Sequence, residues 1–204
     1  MPRGARERRS SSDEQSFAPL AINSCCRTIG LVHVSEIVEV FSSDEIARRV
    51  AAVGQSIRAD AKGGVFLLGI LKGAAVFLSD LLRALDGDVS YGFIDVVRDI
   101  TDTETATAVE IDYVSYTDIA GKNVYVIKDV VSTGVIENYL LTQLRIHSPA
   151  SLRLVALIDR PSLRTVDLKA DYVAFEVADG DGAFVGYGLE IDGRHGNLPI
   201  IGRV

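Results

Sequence analysis

Three features of this 204-residue chain predict a three-layer α/β domain on a mostly parallel sheet. Short, continuously apolar runs recur along it, as expected of strands buried on both faces. Stretches with apolar residues at helical spacing separate those runs. Hydrophobic residues make up 48% and charged ones 24%, so most of the chain has enough apolar surface to build one core of ordinary size.

Taken in order, residues 1–30 read as a disordered leader. Arg3, Arg6, Arg8, Arg9 and the Ser10–Ser12 run are polar and aperiodic, too poor in apolar groups to offset ordering entropy. The two cysteines, Cys25 and Cys26, are adjacent and form no disulfide framework, which fits a reducing compartment and a cytoplasmic location. Residues 31–204 form the domain. Ser42 and Glu45 make a capping box, and Ile46, Val50, Val53 and Ile57 follow on one helical face. Val65–Ile70 reads as a buried strand, residues 75–85 as a helix, and Val89–Val97 as another strand. Residues 98–118 read as a long Thr-rich excursion. Val124–Ile127 is the next strand, followed by a turn and a helix over Ile136–Ile146. Leu152–Ile158 and Tyr172–Val177 complete the sheet.

The charge distribution narrows the function. The chain carries 28 acidic and 21 basic side chains, a net charge of −7, which argues against nucleic acid as a partner. No apolar run is long enough to span a membrane. Residues 95–118 hold seven acidic groups and one basic group, so nearly all the imbalance lies in one segment. His33, His147 and His195 lack ligand spacing and predict no metal site of their own.

In an open parallel sheet, ligands sit where strands end and loops enter helices. Leu71-Lys72-Gly73 offers a point charge beside a residue that lets backbone approach a ligand. Lys128-Asp129 ends a strand, and Ser132-Thr133-Gly134 then opens a helix whose free N–H groups suit a phosphate. Ala183–Glu190 ends in a carboxylate after an aromatic and apolar run that includes Phe184 and Val185.

With Leu157–Pro161, Phe175-Glu176 and Asn197–Gly202, these motifs make residues 32–204 resemble a hypoxanthine-guanine phosphoribosyltransferase. The resemblance implies the type I phosphoribosyltransferase fold: a parallel sheet flanked by helices, a small hood and a mobile loop. It implies transfer of ribose 5-phosphate from phosphoribosyl pyrophosphate to a 6-oxopurine, a small-molecule substrate, with Mg²⁺ as cofactor and a homodimer or homotetramer. Carried over by position, Leu71, Lys72, Gly73, Thr133, Gly134, Arg160, Phe184, Val185, Glu190 and Arg194 bind substrate. Lys128, Asp129 and Ser132 take the catalytic positions, and Asp129 and Glu190 the metal positions.

Several positions depart from the family pattern. Lys128 replaces a glutamate, which swings the local charge by two units and cannot ligate Mg²⁺. Ser132 replaces the aspartate that takes the purine N7 proton, and Ile136 the loop's last hydroxyl residue. Arg160 replaces the lysine at the 6-oxo group, Glu190 an aspartate, and Gly196 a pyrophosphate-gripping arginine, with Arg194 two residues away. Arg98-Asp99 replaces the mobile loop's Ser-Tyr pair. These changes favour an enzyme repurposed on this scaffold for a nucleotide-like or other small molecule, in specialised (natural-product) biosynthesis. An active, divergent purine phosphoribosyltransferase and a non-catalytic nucleotide-binding regulator are the alternatives.

Overall fold

A computed structural model describes residues 37–99, 108–113, 118–178 and 182–204, with backbone alone over 96–99 and 108–113. Six strands form the main sheet: β2 (Val65–Ile70), β3 (Val89–Asp99), β4 (Ala108–Tyr113), β5 (Asn123–Val131), β6 (Ser151–Asp159) and β7 (Tyr172–Glu176). Their spatial order is β4-β3-β2-β5-β6-β7. All neighbours pair parallel except β4, which lies antiparallel against β3. A second, antiparallel sheet joins β1 (Val38–Phe41), β9 (Ile201–Arg203) and β8 (Phe184–Val185) in the order β1-β9-β8.

The central strand explains the layering. Every residue of β2 is buried, and the pleat divides them between two cores. Val65 and Leu67 pack with α1 (Ser43–Asp60) and α2 (Ala74–Ala84), through Ile46, Val53, Phe77 and Leu81. Phe66, Leu68 and Ile70 pack on the other face, against Leu140, Leu141 and Leu144 of α3 (Val135–Ile146). A strand sandwiched in this way has no polar face, which is why its sequence is continuously apolar.

Local signals set the helix starts. The Glu45 N–H donates to Ser42 Oγ at 3.3 Å, so the capping box forms as its spacing predicts. α2 and α3 begin within one residue of the expected positions.

Two parts of the architecture differ from the sequence reading. β3 runs on to Asp99, and β4 folds back within the expected excursion to pair with it. Alternation at Val109 and Ile111 has strand period, but its acidic and threonine-rich setting resembles a loop. β1 and β9 were not expected. They are four and three residues long, and each is ordered by a partner from the far end of the chain. The predicted leader with Cys25 and Cys26, the side chains of Arg98 and Asp99, and residues 179–181 lie outside the described residues. No described helix is long and apolar enough to cross a membrane.

Candidate active site

Three parallel strands deliver their carboxyl ends to one edge of the sheet. After β2, the chain turns through Leu71-Lys72, joined by a cis peptide bond, into Gly73. Gly73 lies hard against the end of β5: a Cβ there would stand 2.0 Å from Asp129 Oδ2. Only glycine allows this approach. The Leu71 N–H donates to the Ile94 carbonyl at 2.9 Å, which fixes the turn to β3.

The turn after β5 is held from below. The carbonyls of Val131, Ser132 and Thr133 accept in succession from Arg160 N–H (2.9 Å), Arg164 Nη1 (2.6 Å) and Thr165 N–H (3.0 Å). Arg164 also forms an ion pair with Asp159, and both side chains are about nine-tenths buried. With the carbonyls pinned inward, the peptide N–H groups turn the other way. Among the described residues, no protein acceptor takes the N–H of Thr133 or Gly134. Gly134 takes a positive φ of 79° and leads directly into α3. Backbone N–H groups arranged in this way at a helix N-terminus can form a cradle for an anion.

The third wall is the hood after β8. Tyr187 N–H bonds the Leu198 carbonyl at 2.8 Å, and Gly188 N–H that of Gly196 at 2.9 Å. Tyr187 Oη donates to Asp80 Oδ2 of α2 at 2.7 Å, and burial together with this bond raises its pKa well above the usual phenol value. A Cβ on Gly188 would lie 3.0 Å from the Gly73 carbonyl oxygen, so the hood rests on the first loop.

Between these walls lies a cavity of about 430 Å³. Of the candidate residues, Lys72, Gly73, Asp129, Arg160, Phe184 and Glu190 line it. Val130, Ala183, Gly188 and Leu189 complete the lining. Ser132, Thr133 and Gly134 form the adjoining cradle. Leu71 shapes the turn, and Val185 is fully buried beneath the hood, paired with Gly202. Arg194 is exposed in a hood turn, where its backbone pairs with Ile191, and it does not line the cavity.

Lys128 takes an unexpected position. It lies outside the cavity lining and forms an ion pair with Asp129 Oδ1, with one fifth of each side chain exposed. One carboxylate oxygen of Asp129 is thus engaged by Lys128, while the other lies close to the Gly73 backbone. This donor set does not fit a Mg²⁺ ion held at the strand end, which needs oxygen ligands unopposed by an ammonium. Glu190 is exposed and lines the cavity. Among the described residues, no three His, Cys, Asp or Glu side chains are grouped to hold an ion.

Two contributors escaped the sequence analysis. Glu137, in the first turn of α3, is only 5% exposed, and burial raises its carboxyl pKa despite the opposing fields of Lys128 and Arg164. A signal existed: residues 137, 140, 141 and 144 fall on one helical stripe, so the apolar face of α3 contains this carboxylate. The other is Arg164, which reads as part of an ordinary turn after Pro161. Nothing local shows that it reaches Asp159 and the Ser132 carbonyl.

The comparisons with known proteins agree with this geometry. Residues 38–192 match the family model described as the phosphoribosyl transferase domain. The chain is 35% identical over 165 residues to a hypoxanthine-guanine phosphoribosyltransferase of Bacillus subtilis, covering 80% of this chain and 90% of that protein. A solved hypoxanthine-guanine phosphoribosyltransferase from Bacillus anthracis superposes with a TM-score of 0.72 at 30% identity, covering 83% of this chain and 99% of that one. A Trypanosoma cruzi hypoxanthine phosphoribosyl transferase gives a TM-score of 0.76 at 28% identity, covering 83% and 93%.

Proposed function

This chain belongs to the phosphoribosyl transferase domain family, with the type I fold, and from that premise we propose that it is an active purine phosphoribosyltransferase. It transfers ribose 5-phosphate from the magnesium salt of phosphoribosyl pyrophosphate to a 6-oxopurine. The observation that carries this reading is the single cavity joining Lys72-Gly73, Asp129, Arg160, Phe184 and Glu190 beside the anion cradle.

Each wall then has a task. The Thr133 and Gly134 N–H groups hold the 5′-phosphate, which also gains from the α3 dipole. Asp129 accepts from a ribose hydroxyl, and Lys72 meets the pyrophosphate charge. Phe184 stacks on the base while Arg160 donates to its 6-oxo oxygen. Purine N9 attacks C1′, the C1′–oxygen bond breaks, pyrophosphate leaves with the bonding pair, and the purine ring N–H proton passes to water. Positioning and charge stabilisation dominate such a transfer, so a rewritten acid/base residue does not by itself abolish it. The enzyme acts in the cytoplasm as a homodimer or homotetramer.

Incubation with phosphoribosyl pyrophosphate, Mg²⁺ and hypoxanthine, guanine or xanthine should yield the nucleoside monophosphate and an equal amount of pyrophosphate. A second reading, a repurposed enzyme of specialised biosynthesis, draws on the Lys128–Asp129 pair at the ribose end. No nucleotide from any base, with nucleoside monophosphates still binding in calorimetry, would replace the first reading by the second.

A further inference from the structure

The hood turn passes through three consecutive residues with left-handed backbone. Gly186, Tyr187 and Gly188 have φ values of 91°, 51° and 91°. The two glycines adopt this region freely, but a tyrosine there is uncommon and persists only where its surroundings hold it. Gly186 and Leu189 exchange N–H to carbonyl bonds in both directions, at 2.9 and 3.0 Å. The Tyr187 and Gly188 N–H groups bond the Leu198 and Gly196 carbonyls. Tyr187 itself is only 7% exposed, and its hydroxyl reaches α2 to donate to Asp80 Oδ2 at 2.7 Å. Arg83, one turn further along α2, takes the other carboxylate oxygen and so aims Asp80.

The phenol–carboxylate bond links two walls of the cavity. Asp80 lies about two helical turns from Gly73 along one rigid element. Gly188, Leu189 and Glu190 follow Tyr187 and line the same cavity as Lys72 and Gly73. A Cβ on Gly188 would stand 3.0 Å from the Gly73 carbonyl oxygen and 3.1 Å from Val76 Cγ2, so the hood and the start of α2 are in close contact. The other walls are held separately. Phe184 lies before the turn, on β8, in register with Arg203 of β9. The Ser132–Gly134 cradle takes its support from Arg160, Arg164 and Thr165.

We propose that Tyr187 is a positioning residue for the pyrophosphate end of the donor: through Asp80 it fixes the gap between the hood and the Lys72-Gly73 turn. The inference rests on the transferase reading above and deepens it. Tyr187 does not line the cavity, so its hydroxyl acts through the two walls it joins. Without that bond the hood turn keeps its backbone pairing but loses its fixed distance to α2. Contacts to pyrophosphate then loosen, because such contacts depend on placement to within about 1 Å. Contacts to the base and the 5′-phosphate stay, because Phe184 and the cradle have their own supports.

Tyr187→Phe keeps the ring and removes only the hydroxyl. Its KM for phosphoribosyl pyrophosphate should rise about tenfold, the scale of one hydrogen bond to a charged group, with kcat and the KM for hypoxanthine changed less than about twofold. Asp80→Asn keeps an acceptor for the phenol and should hold the wild-type KM, whereas Asp80→Ala should match Tyr187→Phe. The double variant Tyr187→Phe/Asp80→Ala should be no worse than either single one. An unchanged donor KM in Tyr187→Phe, parallel rises in both KM values, or additive effects in the double variant would overturn the proposal. Calorimetry with pyrophosphate in Mg²⁺ buffer and with ribose 5-phosphate separates this failure from failure of the transferase reading. Weaker pyrophosphate binding in Tyr187→Phe, with ribose 5-phosphate binding unchanged, sustains the positioning role even if no base turns over. Equal pyrophosphate affinities, equal losses for both ligands, or no pyrophosphate binding to the wild type overturn it.

Discussion

The Ser132–Gly134 cradle, proposed to hold phosphate, and the neighbouring strand end lie at the same edge of the sheet, yet they are built by different means. At Ser132–Gly134 the groups on offer are peptide N–H, set by three pinned carbonyls and one positive-φ glycine. From behind, the buried Arg164–Asp159 pair supports it. At Lys128–Asp129 the chemistry is carried by the side chains themselves, and a single residue sets its sign. A site made of backbone survives substitution as long as its support holds, because every residue but proline supplies the same N–H. A site made of charges can be rewritten one position at a time. The cradle thus persists beside a strand end whose expected glutamate has become Lys128.

Breaking the support should cost most. Arg164→Met leaves Asp159 buried without its cation and frees the Ser132 carbonyl. We expect a loss of about 3–5 kcal/mol in chemical denaturation, the usual consequence of removing one member of a buried pair. A companion Asp159→Leu should recover much of that stability while nucleotide formation stays about 100-fold down, because the cradle has lost its anchor. Activity returning with stability would show that the cradle does not depend on Arg164.

The strand end should tolerate change less simply than its exposure suggests. Lys128→Glu removes the partner of Asp129 and adds a carboxylate within reach of buried Glu137. With partial exposure softening the effect, a loss of about 2 kcal/mol is expected. Glu137→Gln in the same chain should return about half of it. Purely additive denaturation free energies for the two substitutions would show that these groups are not coupled.

The smallest effect belongs to Glu137 alone. Burial raises its folded pKa above the ordinary carboxylate value. The stability it contributes is therefore full below that ordinary value and is lost as pH rises through the folded pKa. Glu137→Gln does not titrate, so its stability should be flatter above mildly acidic pH and about 1 kcal/mol higher at neutrality. Melting temperatures of the two proteins across pH measure this, and parallel curves would place the Glu137 carboxyl outside the core.

Much of this was legible in the sequence, for reasons that differ by element. Ser42–Glu45 caps α1 through contacts three residues apart, and Val65–Ile70 needs no information beyond its own apolarity to be read as a central strand. The same holds for two turns at the edge of the main sheet: Lys72-Gly73 and Thr133-Gly134 follow strand ends because alternating strands and helices place them there. The motifs at those turns also carried the family resemblance. The leading functional reading was less successful. The departures at residues 128, 132 and 160 suggested a repurposed enzyme, whereas the comparisons favour the purine phosphoribosyltransferase that stood as an alternative.

What the sequence determined by itself is therefore the order of layers, the edge of the sheet that carries the site, and the residue types presented there. These follow from periodicity and turn chemistry, which act over a few neighbouring residues. Only the tertiary structure decided that Lys128 turns to Asp129, that Arg164 reaches back 32 residues to Ser132, and that the Arg203 guanidinium comes within 5.0 Å of the Phe184 ring centroid. Charge is long-ranged in space but leaves no mark in local spacing. Which cation meets which carboxylate, carbonyl or ring depends on chain segments that only the completed fold brings together.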